Sequence, residues 1–149
     1  VYGMKKEWVL MISDSVVFNS YLIDINVANA ESFESINGIG TKIANRIIKF
    51  RSSLGGFYSV NQLEDVYGID STILAENLDK FKLITSHQKI KINKVGLNNM
   101  IKHPLINVFQ GEEIIKIRSI YGTVDSIKVR NIFTIKEWSE IKNYLEWEN

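Results

Sequence analysis

Two unrelated signatures recur along the chain at almost one interval, so any fold adopted by the first copy must also suit the second. Ile23-Asp24-Ile25-Asn26 returns 67 positions later as Ile90-Lys91-Ile92-Asn93, and Arg51 and Gly55 return at that same offset as Arg118 and Gly122. Val1-Tyr2-Gly3 returns 65 positions later as Val66-Tyr67-Gly68. A period of this size marks repeated supersecondary units that hide their apolar faces against one another. It divides the chain into the C-terminal half of a preceding repeat plus linker (residues 1–22), an intact repeat (23–84) and a degenerate copy (85–149).

Within the intact copy, Ile23 and Ile25 alternate with polar residues as a short extended lead-in would, and Asn29 can cap a helix running to about Ile36. The turn Asn37-Gly38-Ile39-Gly40 breaks that helix. Thr41 is placed to cap a second one, in which Ile43, Ala44, Ile47, Ile48 and Leu54 fall at helical spacing, with Gly55-Gly56 as its left-handed stop. Ser59-x-x-Gln62 reads as a capping box opening a third helix over Leu63 and Val66. Gly68 ends it, and Ser71 begins a fourth that buries Ile73, Leu74, Leu78 and Phe81. Two helical hairpins per repeat follow, packed side by side in an all-α architecture. Pro104 falls where the second copy needs its hairpin turn, and residues 82–92 read as an extended linker.

The chain has 45% hydrophobic and 23% charged residues, which suits one ordinary core or two small adjoining ones. It has no cysteine, which excludes disulfide and thiolate chemistry, and its two histidines, His87 and His103, read as isolated surface residues rather than metal ligands. No metal and no cofactor is expected. The apolar patch from Trp8 to Ile12 is too short to span a membrane. Because the chain begins at Val1, a signal peptide or anchor can belong to the parent protein outside these residues. Net charge is +1 overall: zero over 1–22, −2 over 23–84 and +3 over 85–149. That balance lacks the strong basic face of an autonomous, tight DNA binder.

The chemistry concentrates at Gly38-Ile39-Gly40. A helix opening after such a turn presents unpaired backbone N–H groups, and missing side chains let a phosphate come close to the main chain. Lys42, Arg46 and Lys49 share one face of that helix, opposite Ile43 and Ile47, so cations flank the turn. Glycines alone mean only a tight turn, and a basic stripe alone means a solvated face. Together they describe a phosphate cradle that would hold a sugar-phosphate backbone without reading bases. In the second hairpin, Gly68-Ile69-Asp70 puts an acid where the second glycine stood. In the last copy Leu105, Asn107, Phe109 and Glu113 replace Gly38, Gly40, Lys42 and Arg46. That copy keeps its apolar pattern at Ile114, Ile115 and Ile117 and loses the site, although Lys89, Lys91, Lys94 and Lys102 could form a diffuse electrostatic surface.

On Asp24-Ile25-Asn26, Ile36-Asn37-Gly38-Ile39-Gly40, Ala44, Arg46-Ile47-Ile48, Arg51 and Gly55-Gly56-Phe57, the intact repeat resembles the ComEA-like competence helix-hairpin-helix family. The whole chain looks like its multi-repeat members from Bacteroidetes bacteria, with their His-Pro turn at His103-Pro104. The resemblance implies tandem helix-hairpin-helix repeats and non-sequence-specific binding of DNA, in some members during DNA uptake at the cell envelope; with one glycine hairpin and a low net charge, the leading expectation is weak binding of double-stranded DNA. The resemblance also implies phosphate contacts from the amides of Gly38, Ile39 and Gly40, helped by Lys42, Arg46 and Lys49, and leaves a periplasmic or membrane-anchored bacterial placement open.

A second reading makes the chain a structural or protein-interaction module, with Trp138, Tyr144 and Trp147 as an apolar contact patch. An enzyme is not expected. The carboxylate pairs Glu64-Asp65 and Glu112-Glu113 point apart on a helix, and no His, Cys or activated Ser surrounds them.

Overall fold

The computed structural model describes residues 22–148; the half repeat read at the N-terminus lies almost wholly outside them. The lead-in at Ile23 and Ile25 is extended as its alternation predicts, and β1 (Ile23–Asp24) is followed by α1 (Ala30–Glu34), which Asn29 caps by accepting from Ser32 N. After the glycine turn, α2 (Thr41–Leu54) runs 14 residues and stops at Gly55, whose φ of 76° is left-handed. The Ser59/Gln62 capping box is present, yet Val60–Asp65 coils as a 3-10 turn rather than an α-helix. α3 (Ser71–Asn77) and a short 3-10 turn then return the chain to β2 (Phe81–Lys82).

The second unit repeats this plan. β3 (Ile90–Lys91), α4 (Leu97–Met100), α5 (Val108–Tyr121), α6 (Ser126–Arg130), α7 (Ile135–Ile141) and β4 (Leu145–Glu146) follow in order. The tie between the ends of each unit corrects the all-α expectation. β1 pairs in parallel with β2 (Ile23 opposite Phe81), and β3 pairs in parallel with β4 (Ile90 opposite Leu145). Four helical segments bring first and last residues together, and the buried Ile23 and Phe81 meet best as adjacent extended strands that share backbone hydrogen bonds. The chain is therefore mostly helical, with two small parallel sheets.

The 67-residue offset reappears atom for atom. Asn26 Nδ2 donates to Phe57 O at 2.9 Å while its Oδ1 accepts from Phe57 N at 2.7 Å. Asn93 makes the same pair of bonds with Val124, at 3.2 and 2.7 Å. Arg51 Nη1 donates to the carbonyls of Ile25 and Ala28 at 2.9 and 2.8 Å. Arg118 does so to Ile92 and Val95 at 3.0 and 2.8 Å. These side chains satisfy loop carbonyls and amides that no helix or strand could reach. The offset then contracts: β2 and β4 are 64 residues apart, because the second hairpin of the later unit has a shorter turn and no glycine.

One core runs through both units, from Ile25, Phe33 and Ile47 to Ile92, Ile114 and Ile141, all fully buried. Tyr144 and His103 join them. The histidine is 7% exposed rather than on the surface, with Nε2 on Leu54 O at 3.1 Å and its ring 4.5 Å from that of Tyr144. Leu78 is half exposed instead of buried, because the chain tightens into a 3-10 turn there and loses the α-helical face.

Candidate nucleic-acid interface

The turn between α1 and α2 divides its work among three residues. Gly38 has φ +90°, a backbone that side-chain-bearing residues rarely adopt, and a Cβ there would stand 3.2 Å from Ile73 Cγ1. Ile39 is buried, and its N–H donates to Ile36 O at 3.0 Å. Its amide is thus spent on closing the turn, which corrects its assignment as a phosphate donor. Gly40 is extended (φ −92°, ψ 176°) and has nothing within 4 Å of where a Cβ would sit. What it contributes is the lack of a side chain.

Gly40, not Thr41, is the N-cap of α2, since Ala44 N donates to Gly40 O and starts the helix. No side chain caps this end, so the amides of Thr41, Lys42 and Ile43, in the first turn of the helix, have neither a helical acceptor nor a side-chain cap. The other helices that follow a hairpin turn are closed. Asp70 accepts from Ile73 N at 2.9 Å on α3. Asn107 and Gln110 cap each other's amides at 2.9 Å on α5, and Thr134 and Glu137 do likewise on α7. Asn107 stands 67 residues after Gly40, so the later unit fills with its own amide the position that the earlier unit leaves open.

Lys42, Arg46 and Lys49 are all exposed on α2. Gly40, Thr41, Lys42, Ile43 and Arg46 line one open depression at the helix start. Lys49, two turns along, is not among its walls. Arg46 is already engaged: Nη1 donates to Tyr67 O at 2.9 Å, and the guanidinium lies 4.9 Å above the centroid of the Tyr67 ring. Tyr67 occupies the second hairpin's turn, which sequence reading left without a role.

The two hairpins of the intact unit are reciprocal. Gly38 backs onto Ile73 of α3, and Gly68 backs onto Ile43 of α2, where a Cβ would stand 3.1 Å from Ile43 Cγ1. Arg46 on α2 bonds the turn carbonyl of Tyr67, while Asn77 Nδ2 on α3 bonds the turn carbonyl of Asn37 at 3.1 Å. The signal for this was legible in the sequence as a 30-residue offset between Ile36-Asn37-Gly38-Ile39 and Val66-Tyr67-Gly68-Ile69. Asp70, read as hostile to phosphate, is the helix cap of that second turn.

In the later unit, Lys89 donates to Asn143 O and Lys102 to Asn99 Oδ1, so two of the four lysines noted there are turned to internal partners. Tyr144 is fully buried, and Trp138 and Trp147 are partly buried against the core, which removes them as an exposed patch. Among the described residues no group of three His, Cys, Asp or Glu side chains could hold a metal ion, and no helix is long and apolar enough to cross a membrane.

Residues 19–82 match the family described as helix-hairpin-helix motif. The chain carries a helix-hairpin-helix domain. Over 141 residues, 79% of this chain, it is 25% identical to an endonuclease/exonuclease/phosphatase family domain-containing protein 1 from Danio rerio, of which the match covers 26%. Over 59 residues, 39% of this chain, it is 37% identical to an uncharacterized protein from Haemophilus influenzae, of which the match covers 53%. The chain thus spans about a quarter and about half of these two relatives. No solved structure matches it. Helix-hairpin-helix motifs are in general nucleic-acid-binding modules, and the matched residues contain the whole glycine hairpin and its open helix end.

Proposed function

We propose that the chain is a non-catalytic module that holds double-stranded DNA through its phosphate backbone, weakly and without sequence preference, at the N-terminus of α2. The observation that carries this reading is the uncapped helix start at Gly40 beside Lys42, set against the side-chain caps on α3, α5 and α7. Free amides aligned with the positive end of a 14-residue helix suit a phosphate oxygen, and Lys42 adds a full charge. Gly38 and Ile39 shape the turn, Arg46 reaches the same depression while bracing Tyr67, and Lys49 extends the basic face. The likeness of residues 23–81 to the ComEA-like family supports a place in DNA uptake by a bacterium. The recurring Asn and Arg ties support residues 90–147 as a second, degenerate unit of the same kind.

For that second unit a different role is favoured by one observation. Its hairpin helices start with exposed apolar residues, Val108, Phe109 and Ile135, and their amides are closed by their own capping boxes. Exposed apolar tips with capped amides offer a phosphate little and suit a protein contact.

The test is fluorescence anisotropy of a labelled random-sequence duplex at low and at physiological salt, for wild type and Lys42→Glu. One hairpin predicts a shallow log-log salt slope, with roughly 0.9 per phosphate contacted, and a clear loss of affinity for Lys42→Glu. Salt-independent binding, or equal binding by both proteins, would move the search to protein partners.

A further inference from the structure

Tyr67 is 83% exposed, yet its ring is not free to wander. Arg46 holds the carbonyl of the same residue at 2.9 Å and stacks its guanidinium over the ring at 4.9 Å. The backbone beneath is pinned as well, since Gly68 sits against Ile43 and Ile69 N donates to Val66 O at 2.9 Å. A large exposed aromatic ring with a cation over it has less side-chain entropy to lose on binding than an unrestrained one. Arg46 links the ring to the open helix start, since it both lines the depression at Gly40 and lies over the Tyr67 ring.

We propose that Tyr67 is a base-stacking platform beside the phosphate site, so that the hairpin pair selects DNA carrying an unpaired base, such as a single-stranded overhang next to a duplex. The proposal rests on the phosphate reading above. An aromatic face accepts any base by stacking and needs no sequence, which agrees with a site that reads no base edges. The cation on the ring strengthens the case, because a guanidinium next to a stacked base also neutralises the neighbouring phosphate. In a fully paired duplex the bases are stacked on each other and leave the ring without a partner. Asn37, the counterpart of Tyr67 in the first turn, offers no such surface, so the preference belongs to one side of the hairpin pair.

The experiment uses the whole chain with two probes of equal length, a blunt duplex and a duplex with a short 3′ overhang containing 2-aminopurine. Wild type should bind the overhang roughly fivefold or more tightly than the blunt end and quench the 2-aminopurine fluorescence. Tyr67→Ala should bring the overhang affinity down to that of the blunt duplex and abolish the quench, and Tyr67→Phe should keep both. Equal wild-type affinity for the two probes overturns the stacking proposal while leaving the phosphate reading intact. So does a Tyr67→Ala protein that loses affinity for both probes by the same factor, which would make the ring a brace for Arg46. If Lys42→Glu binds both probes as wild type does, the phosphate reading falls and the stacking proposal falls with it.

Discussion

The hydroxyl of Tyr144 donates to the carbonyl of Gly56 at 2.9 Å, across 88 residues of sequence, and receives Nε2 of Gln62 at 2.9 Å. The ring is fully buried, and burial pushes its pKa up to about 12, so it is a neutral phenol under all ordinary conditions. Through this one oxygen the 3-10 turn Lys142–Tyr144, between α7 and β4, is fastened to the capping box and glycine stop of the first unit. The two units should consequently unfold together.

Tyr144→Phe tests that coupling with little change of shape. It leaves the Gly56 carbonyl and the Gln62 amide buried without this partner, a cost of roughly 1–3 kcal/mol. Urea denaturation followed by tryptophan fluorescence and by circular dichroism should give coincident transitions in wild type and a lower midpoint in the variant. Separate transitions in wild type would mean that the units are independent.

A second inter-unit group sets an acid limit. His103 is held neutral: burial drives its pKa down to about 4, partly opposed by the bond to Leu54 O, with His87 adding to the depression. Above pH 6.5 the side chain is neutral in the folded and unfolded chains alike. Between 6.5 and about 4 only the unfolded chain takes up the proton, so stability falls as pH falls, by about 1.4 kcal/mol per pH unit and roughly 3 kcal/mol over the window. His103→Gln should flatten that part of the stability–pH curve. Identical slopes for the two proteins would show that other groups carry the acid sensitivity.

How far the fold was legible depended on the range of each interaction. Asn26 and Arg51 bond loop carbonyls 23 to 31 residues away, with one longer tie from Asn26 to Thr85, and the side chains themselves recur at Asn93 and Arg118, so the pattern advertised itself. Helix caps at Asn29 and Ser59 are local and were readable for the same reason. Tyr144, His103 and the strand pairs meet partners that lie 49 to 88 residues away or only at the closed ends of a unit, where no periodicity points. Of the candidate site, the residue types were legible, but not their division of labour. Ile39 is spent inside the turn and Arg46 is shared with Tyr67, facts that only the packing of one hairpin on the other decides.

The reciprocal glycines make a third prediction. Gly38→Ala and Gly68→Ala each force a side chain onto a left-handed backbone and bring a Cβ to 3.2 or 3.1 Å from an isoleucine of the opposite hairpin. Either substitution should cost roughly 1–3 kcal/mol by thermal or chemical denaturation. Gly40→Ala, extended and unobstructed, should cost far less. Equal losses at all three positions would contradict the division of roles within the turn.

Gly40→Asn separates folding from binding most sharply. The later unit already shows the outcome, for Asn107 at the matching position accepts from Gln110 N at 2.9 Å and closes the helix start. At Gly40 the backbone is extended and the space for a side chain is empty, so the asparagine can cap Ile43 N without strain. Asparagine exceeds glycine as an N-cap by a few tenths of a kcal/mol, and the melting temperature should hold or rise slightly. The same bond occupies an amide that a phosphate would need, and a charge-assisted contact is worth roughly 1.5–3 kcal/mol, so DNA affinity should fall about tenfold or more. Stability and affinity are therefore expected to move in opposite directions. A variant that folds as well as wild type and binds DNA just as tightly would show that the open end of α2 is not where the phosphate lies.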